Sequence, residues 1–134
     1  MKGGAHLHIH ESAEDYLEMI MMLREQKGYV RSVDIATALS VTKPSVSHAM
    51  KLLRENGYIT MDKENYILLT VSGETIARKI YKRHRTLTRF LVVLGVDEKI
   101  AYEDACRIEH DLSEESIRAI AKHLEALLTD IPEP

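Results

Sequence analysis

The sequence predicts a mainly α-helical chain: an N-terminal group of short helices with one small β-hairpin, followed by an all-α lobe. Three observations carry this reading. Apolar residues recur at helical spacing along most of the 134 residues. The two stretches with strand character, Tyr58-Ile59-Thr60-Met61 and Tyr66-Ile67-Leu68-Leu69, flank a polar tip, Asp62-Lys63-Glu64-Asn65. A chain with one Phe and no Trp must also build its core from Ile, Leu, Val, Ala and Met, as helical proteins often do.

The elements follow in order. Ser12 is expected to cap a first helix, with Asp15 three positions on, and the apolar stripe Leu17, Ile20 and Leu23 runs to a stop at Gly28. Before it, His6, His8 and His10 alternate, either as metal ligands or as a lead-in without a function. Ser32 is expected to cap a short helix through Leu39. After the turn Ser40-Val41-Thr42, a second helix opens with Pro44 in its first turn, where the missing N–H costs nothing.

In that second helix Val46, Met50 and Leu53 face inward, leaving Ser45, Ser47, His48 and Lys51 outward. Small hydroxyls and basic groups on the first half of a helix suit entry into the major groove. Gly57 ends the helix, and the hairpin follows at once. A helix-turn-helix leading directly into a hairpin is a winged helix, with Lys43, Lys51 and Lys63 placed to meet phosphates.

Ser72 is expected to cap a long helix running to Gly95. It carries six basic residues (Arg78, Lys79, Lys82, Arg83, Arg85 and Arg89), read as partly phosphate-facing and partly solvated. A net charge of −3 therefore does not exclude nucleic acid, because a local basic surface matters more than the total. Val96-Asp97 starts the next helix, and Leu112-Ser113-Glu114-Glu115 is a capping turn into the last one, which Ile131-Pro132-Glu133-Pro134 terminates. Two short terminal helices with this many apolar residues call for a symmetry mate, hence a homodimer.

The chemistry concentrates in Ala105-Cys106-Arg107-Ile108-Glu109-His110-Asp111. On a helix, Cys106, Glu109 and His110 at i, i+3 and i+4 put a thiol, a carboxylate and an imidazole on one face. Such a donor row suits a divalent transition metal rather than Mg or Ca. Asp15 and Glu18 on the first helix and His84 on the long one are the suppliers expected to complete the site. A single Cys allows no internal disulfide. No apolar run nears the ~20 residues of a membrane span and no signal-peptide core is present, so the expectation is a soluble cytoplasmic protein without a membrane partner or small-molecule substrate.

With these residues in place, the chain resembles the iron- and manganese-dependent repressors, the family of the diphtheria toxin repressor and the manganese transport regulator. The resemblance runs from Glu11 to about Leu128. It rests on Glu14-Asp15-Tyr16-Leu17-Glu18, Lys43-Pro44-Ser45-Val46-Ser47, Leu68-Leu69-Thr70-Val71-Ser72-Gly73, Arg83-His84-Arg85, Phe90-Leu91 and the Ala105 to Ser113 stretch. It implies a dimeric, metal-activated repressor, not an enzyme, with Asp15, Glu18, His84, Cys106, Glu109 and His110 as ligands and double-stranded operator DNA as partner. It implies a winged DNA-binding domain, residues 1–73, and a helical metal-binding and dimerisation domain, residues 74–134.

Asp15 and Glu18 match the manganese branch of that family, where the iron branch would place Met and Arg. Cys106 matches the iron branch, where the manganese branch would place Glu. The ion implied is manganese or iron, with cobalt, nickel or zinc as further candidates. Thr88 and Tyr102 stand where the iron branch would put ancillary ligands. One rival reading is a metal-independent winged-helix regulator. Another is a carboxylate-bridged metalloenzyme in a helical bundle, which the single Glu-His pairing and the wing oppose.

Overall fold

The computed structural model describes residues 11–129, so His6, His8, His10 and the Pro132 stop lie outside the described residues. Its helices are α1 (Glu11–Lys27), α2 (Ser32–Leu39), α3 (Lys43–Glu55), α4 (Val71–Val93), α5 (Glu98–Ile108) and α6 (Glu114–Thr129). Strands β1 (Ile59–Met61) and β2 (Ile67–Leu69) lie between α3 and α4. Mainly helical with one antiparallel hairpin, it is the fold class expected. Two compact units divide at Lys79 and Ile80. None of the described helices is long and apolar enough to cross a membrane.

In the first unit α1 packs on α2, α3 and β2, while α3 packs on β1. The buried side chains are Leu17, Ile20 and Met21 of α1, Ile35 of α2, Val46, Met50 and Leu53 of α3, and Ile59 and Ile67 of the hairpin. Each aliphatic group withdrawn from water contributes about 1.5–3 kcal/mol, so this apolar set orients the outward faces. The inward face read for α3 is the one buried.

The helix starts depart from expectation in three places. Ser12 lies inside α1, which already includes Glu11, the first described residue. Arg31, not Ser32, caps α2: the Asp34 carboxylate accepts the Arg31 backbone N–H at 2.9 Å, half of a capping box that needs no hydroxyl. Thr70, not Ser72, caps α4. Its hydroxyl accepts the Gly73 N–H at 3.2 Å and donates to the Gly57 carbonyl at 2.7 Å, so one side chain both starts a helix and holds the base of the hairpin. Thr42 caps α3 as expected, accepting from Ser45 N–H at 3.2 Å.

The hairpin pairs Ile59 with Leu69 and Met61 with Ile67. Its tip is built by Asp62, whose Oδ1 accepts the N–H groups of Glu64 and Tyr66 at 3.0 and 2.9 Å. The Ile67 N–H donates to Val30 O at 2.8 Å, giving β2 a neighbour on its other side. Gly73 is required by close approach. A Cβ there would stand 2.1 Å from the Tyr58 carbonyl oxygen.

Glu74, in the first turn of α4, accepts two bonds from Arg24 of α1 at 2.7 and 2.9 Å and pairs with Arg78 at 2.8 Å. The Arg24 guanidinium holds the Glu74 carboxyl below its ordinary value.

In the second unit Ile80, Leu87, Ala101, Ala105 and Leu124 are buried, whereas Val92, Leu94, Ile100, Tyr102 and Ile108 are exposed. α4 ends in a left-handed turn at Gly95, with the Val96 N–H reaching back to Leu91 O at 2.9 Å. Asp97 and Ser113 cap α5 and α6, their side chains accepting from Lys99 and Ser116 N–H groups at 3.2 and 3.0 Å.

Candidate metal centre and nucleic-acid interface

The α5 helix stops at Ile108, two residues earlier than a donor row on one helix requires. Glu109 is its C-cap, still helical in backbone, with its N–H on Ala105 O at 3.0 Å, so Cys106 and Glu109 keep their i, i+3 relationship. His110 lies in the turn beyond, which corrects the expectation that all three share one helical face. Across this turn Arg83 of α4 donates from Nη1 to the carbonyls of Glu109 and Leu112 at 2.9 and 2.7 Å.

The donors nevertheless converge within this unit. His84 Nδ1 lies 2.9 Å from Glu109 Oε1 and 3.8 Å from Cys106 Sγ. The second carboxylate oxygen, Glu109 Oε2, lies 3.5 Å from His110 Nε2. Glu109 is 1% exposed and His84 5%, and a carboxylate so deeply removed from water is costly unless positive charge compensates it.

The set therefore fits a divalent transition ion. Metal–ligand bonds of ~2.0–2.3 Å put neighbouring donor atoms roughly 3–4 Å apart, and thiolate, imidazole and carboxylate are the donor types such ions accept. Surrounding groups seat His84. The Tyr102 ring meets it edge-on at 4.4 Å, and the Thr88 hydroxyl donates to its carbonyl at 2.8 Å. Thr88 and Tyr102 thus both touch this histidine.

Asp15 and Glu18 stand one turn apart on α1 in the first unit, half-buried and buried. Glu18 is 7% exposed, which an acidic first turn placed only to complement the helix dipole does not require.

On α3, Lys43, Ser45, Ser47, His48 and Lys51 are all exposed, as is Lys63 at the hairpin tip. The Ser45 hydroxyl also accepts from the Thr42 hydroxyl at 2.9 Å, so it serves the helix start as well as the surface. Of the six basic residues of α4, Arg83 is not a surface group. It is 7% exposed and spent on the turn after α5, which corrects its reading as phosphate-facing or solvated. Sequence reasoning also missed the Arg24 and Glu74 pair. Nothing in composition or spacing distinguishes either from a solvated charge, and the only hint for Arg83 is its place beside His84.

The family model for the N-terminal DNA binding domain of iron dependent repressors matches residues 8–66. The model for their metal binding and dimerisation domain matches residues 70–132. The HTH-type transcriptional regulator MntR of Bacillus pumilus is 43% identical over 109 residues, which is 81% of this chain and 76% of that protein. Among solved structures, the manganese regulator SloR is similar with a TM-score of 0.76 and 32% identity, and T. acidophilum IdeR with 0.74 and 30%. Each likeness covers 84% of this chain and 53% of the other, so the chain spans about half the length of those solved proteins. Matched from the first helix to the last by both domains, the chain belongs to the iron-dependent repressor family of metal-dependent transcriptional regulators.

Proposed function

We propose that the chain represses transcription by binding double-stranded operator DNA as a homodimer when a divalent transition metal is bound. The observation that carries this reading is the approach of the buried Glu109 carboxylate and the half-buried Cys106 thiol to the buried His84 Nδ1, at 2.9 and 3.8 Å. The matched DNA-binding domain, with its exposed polar face on α3, supports the operator as partner. The proposed division is a reading head, residues 1–73, and a metal-binding and dimerisation lobe, residues 74–134, acting in the cytoplasm.

The ligand set proposed is Asp15, Glu18, His84, Cys106, Glu109 and His110. A bound divalent ion supplies the positive charge that lets three carboxylates and a thiolate be held together. Asp15 and Glu18 belong to the head and the other four to the lobe, so the six side chains tie the orientation of the head to the ligated state. Both heads of a dimer then read half-sites one duplex turn apart, ~34 Å. A switch from 1:99 to 99:1 needs about 5.5 kcal/mol of differential binding, within the scope of a six-ligand site.

On the α3 face, Lys43, Ser45, Ser47, His48 and Lys51 address the groove, while Lys63 meets phosphate. The ion proposed is manganese or iron, with cobalt, nickel or zinc able to take its place. The carboxylate pair Asp15 and Glu18 and the likeness to a manganese regulator favour manganese, whereas the Cys106 thiolate softens the set toward iron, cobalt and zinc.

The test is an operator titration with and without metal. Glu18→Ala and His110→Ala are expected to keep the fold by circular dichroism and to lose the metal dependence. Equal operator affinity of the unaltered chain in both conditions overturns the proposal.

A further inference from the structure

We infer that Arg83 is a positioning residue for the metal site, holding the turn that carries Glu109 and His110 without itself being a ligand. The inference rests on the metal reading above and deepens it. Arg83 and His84 are consecutive on α4 and reach opposite ends of the same residue. Arg83 Nη1 donates to the Glu109 backbone carbonyl at 2.9 Å, while His84 Nδ1 meets the Glu109 carboxylate at 2.9 Å. Glu109 is thus fixed by both its main chain and its side chain to one turn of α4.

The same Arg83 nitrogen donates to Leu112 O at 2.7 Å, and Nη2 lies 3.6 Å from the Glu114 carboxylate in the first turn of α6. One guanidinium therefore spans the whole connection from the end of α5 to the start of α6. Helix C-termini leave carbonyls without intrahelical partners, and a cation supplied there is favourable. Here it comes from a different helix, and the angle of the turn is set by it.

Charge and geometry make opposite predictions for this residue. A guanidinium close to a ligand carboxylate repels an incoming dication, so if charge dominated, removing Arg83 would tighten metal binding. If geometry dominates, removal leaves Glu109 and His110 chemically intact but free to take many arrangements, and binding weakens. Arg83 is 7% exposed and its Nε is buried without a hydrogen-bond partner. That arrangement is costly to maintain, and two short bonds to the carbonyls of the turn are what it secures. Geometry is the effect inferred to win. Groups that orient ligands in this way typically alter metal affinity by about 10- to 100-fold when replaced.

The experiment uses the full chain with cobalt(II), read by calorimetry and by the near-ultraviolet charge-transfer band of the Cys106 thiolate. Arg83→Met is expected to weaken cobalt binding by about 10- to 100-fold and to alter the band. Arg83→Lys, which keeps the charge but not the planar fork, is expected to fall between it and the unaltered chain, and it carries the test if Arg83→Met does not fold. Leu124→Ala, which removes a buried side chain elsewhere in the same unit, is expected to lower stability and leave the affinity and band unchanged. Unchanged or tighter cobalt binding by the Arg83 variants overturns the inference, as does an equal loss in Leu124→Ala. An unaltered chain that takes up no cobalt overturns the metal reading itself, a result separate from any difference among variants.

Discussion

Arg24 and Glu74, fifty positions apart, meet through two parallel bonds, Nη1 to Oε1 at 2.7 Å and Nη2 to Oε2 at 2.9 Å. The pair joins α1, which carries Asp15 and Glu18, to the first turn of α4. The hydrogen bond from Arg24 is the main cause of the lowered Glu74 pKa. A carboxylate with a lowered folded pKa contributes stability that is present above its ordinary value of 4.5 and is lost as pH falls through the lowered one. Glu74→Gln is expected to cost up to about 1 kcal/mol at neutral pH, since both groups are partly solvated. The cost should vanish in acid beyond the lowered pKa. Urea denaturation across pH checks this, and an undiminished difference in acid contradicts it.

Gly73 tests the close approach at the base of the hairpin. With a Cβ 2.1 Å from the Tyr58 carbonyl oxygen, Gly73→Ala must displace main chain rather than a flexible side chain. The expected cost is more than about 2 kcal/mol, measured by thermal unfolding. Ser72→Ala, at an exposed neighbour that caps nothing, should stay within about 0.5 kcal/mol.

Cys106 sets the softness of the proposed site. Cys106→Glu is expected to raise manganese affinity relative to cobalt or zinc by roughly tenfold, because a hard oxygen replaces a soft sulfur. Competition titrations with paired metals read the ratio directly. An unchanged ratio removes Cys106 from the ligand set.

At the DNA face the two kinds of contact separate by salt. Lys63→Ala should weaken binding to all sequences alike and reduce the slope of log affinity against log salt by about 1. His48→Ala should cost about 1–3 kcal/mol on the operator and much less on unrelated DNA. Fluorescence anisotropy at several salt concentrations distinguishes them.

The fold was legible because burial follows period. Val46, Met50 and Leu53 announce the inner face of α3, and the paired strands announce themselves by composition around Asp62. The caps were less legible, because Arg31 caps α2 with the help of Asp34 and no hydroxyl, and because Thr70 and Ser72 both stand near the start of α4. Thr70 outbid Ser72 through a second bond to Gly57 O that joins residues 13 apart, which no local pattern records. That Cys106 and Glu109 share a side of α5 and its cap was readable from their spacing, but the departure of His110 from the helix was not. The turn is bonded to Arg83, 26 positions away from Glu109, which in sequence looks like any other basic residue of α4.

The Ile67 N–H bonded to Val30 O bears on how two copies can associate. An exposed strand edge presents unpaired N–H and C=O groups to which another chain can pair. With its outer flank already engaged by the segment leading into α2, β2 offers little to such a neighbour. Addition of a further strand from another molecule along that flank of β2 is therefore disfavoured, and these three residues stay part of a two-stranded wing.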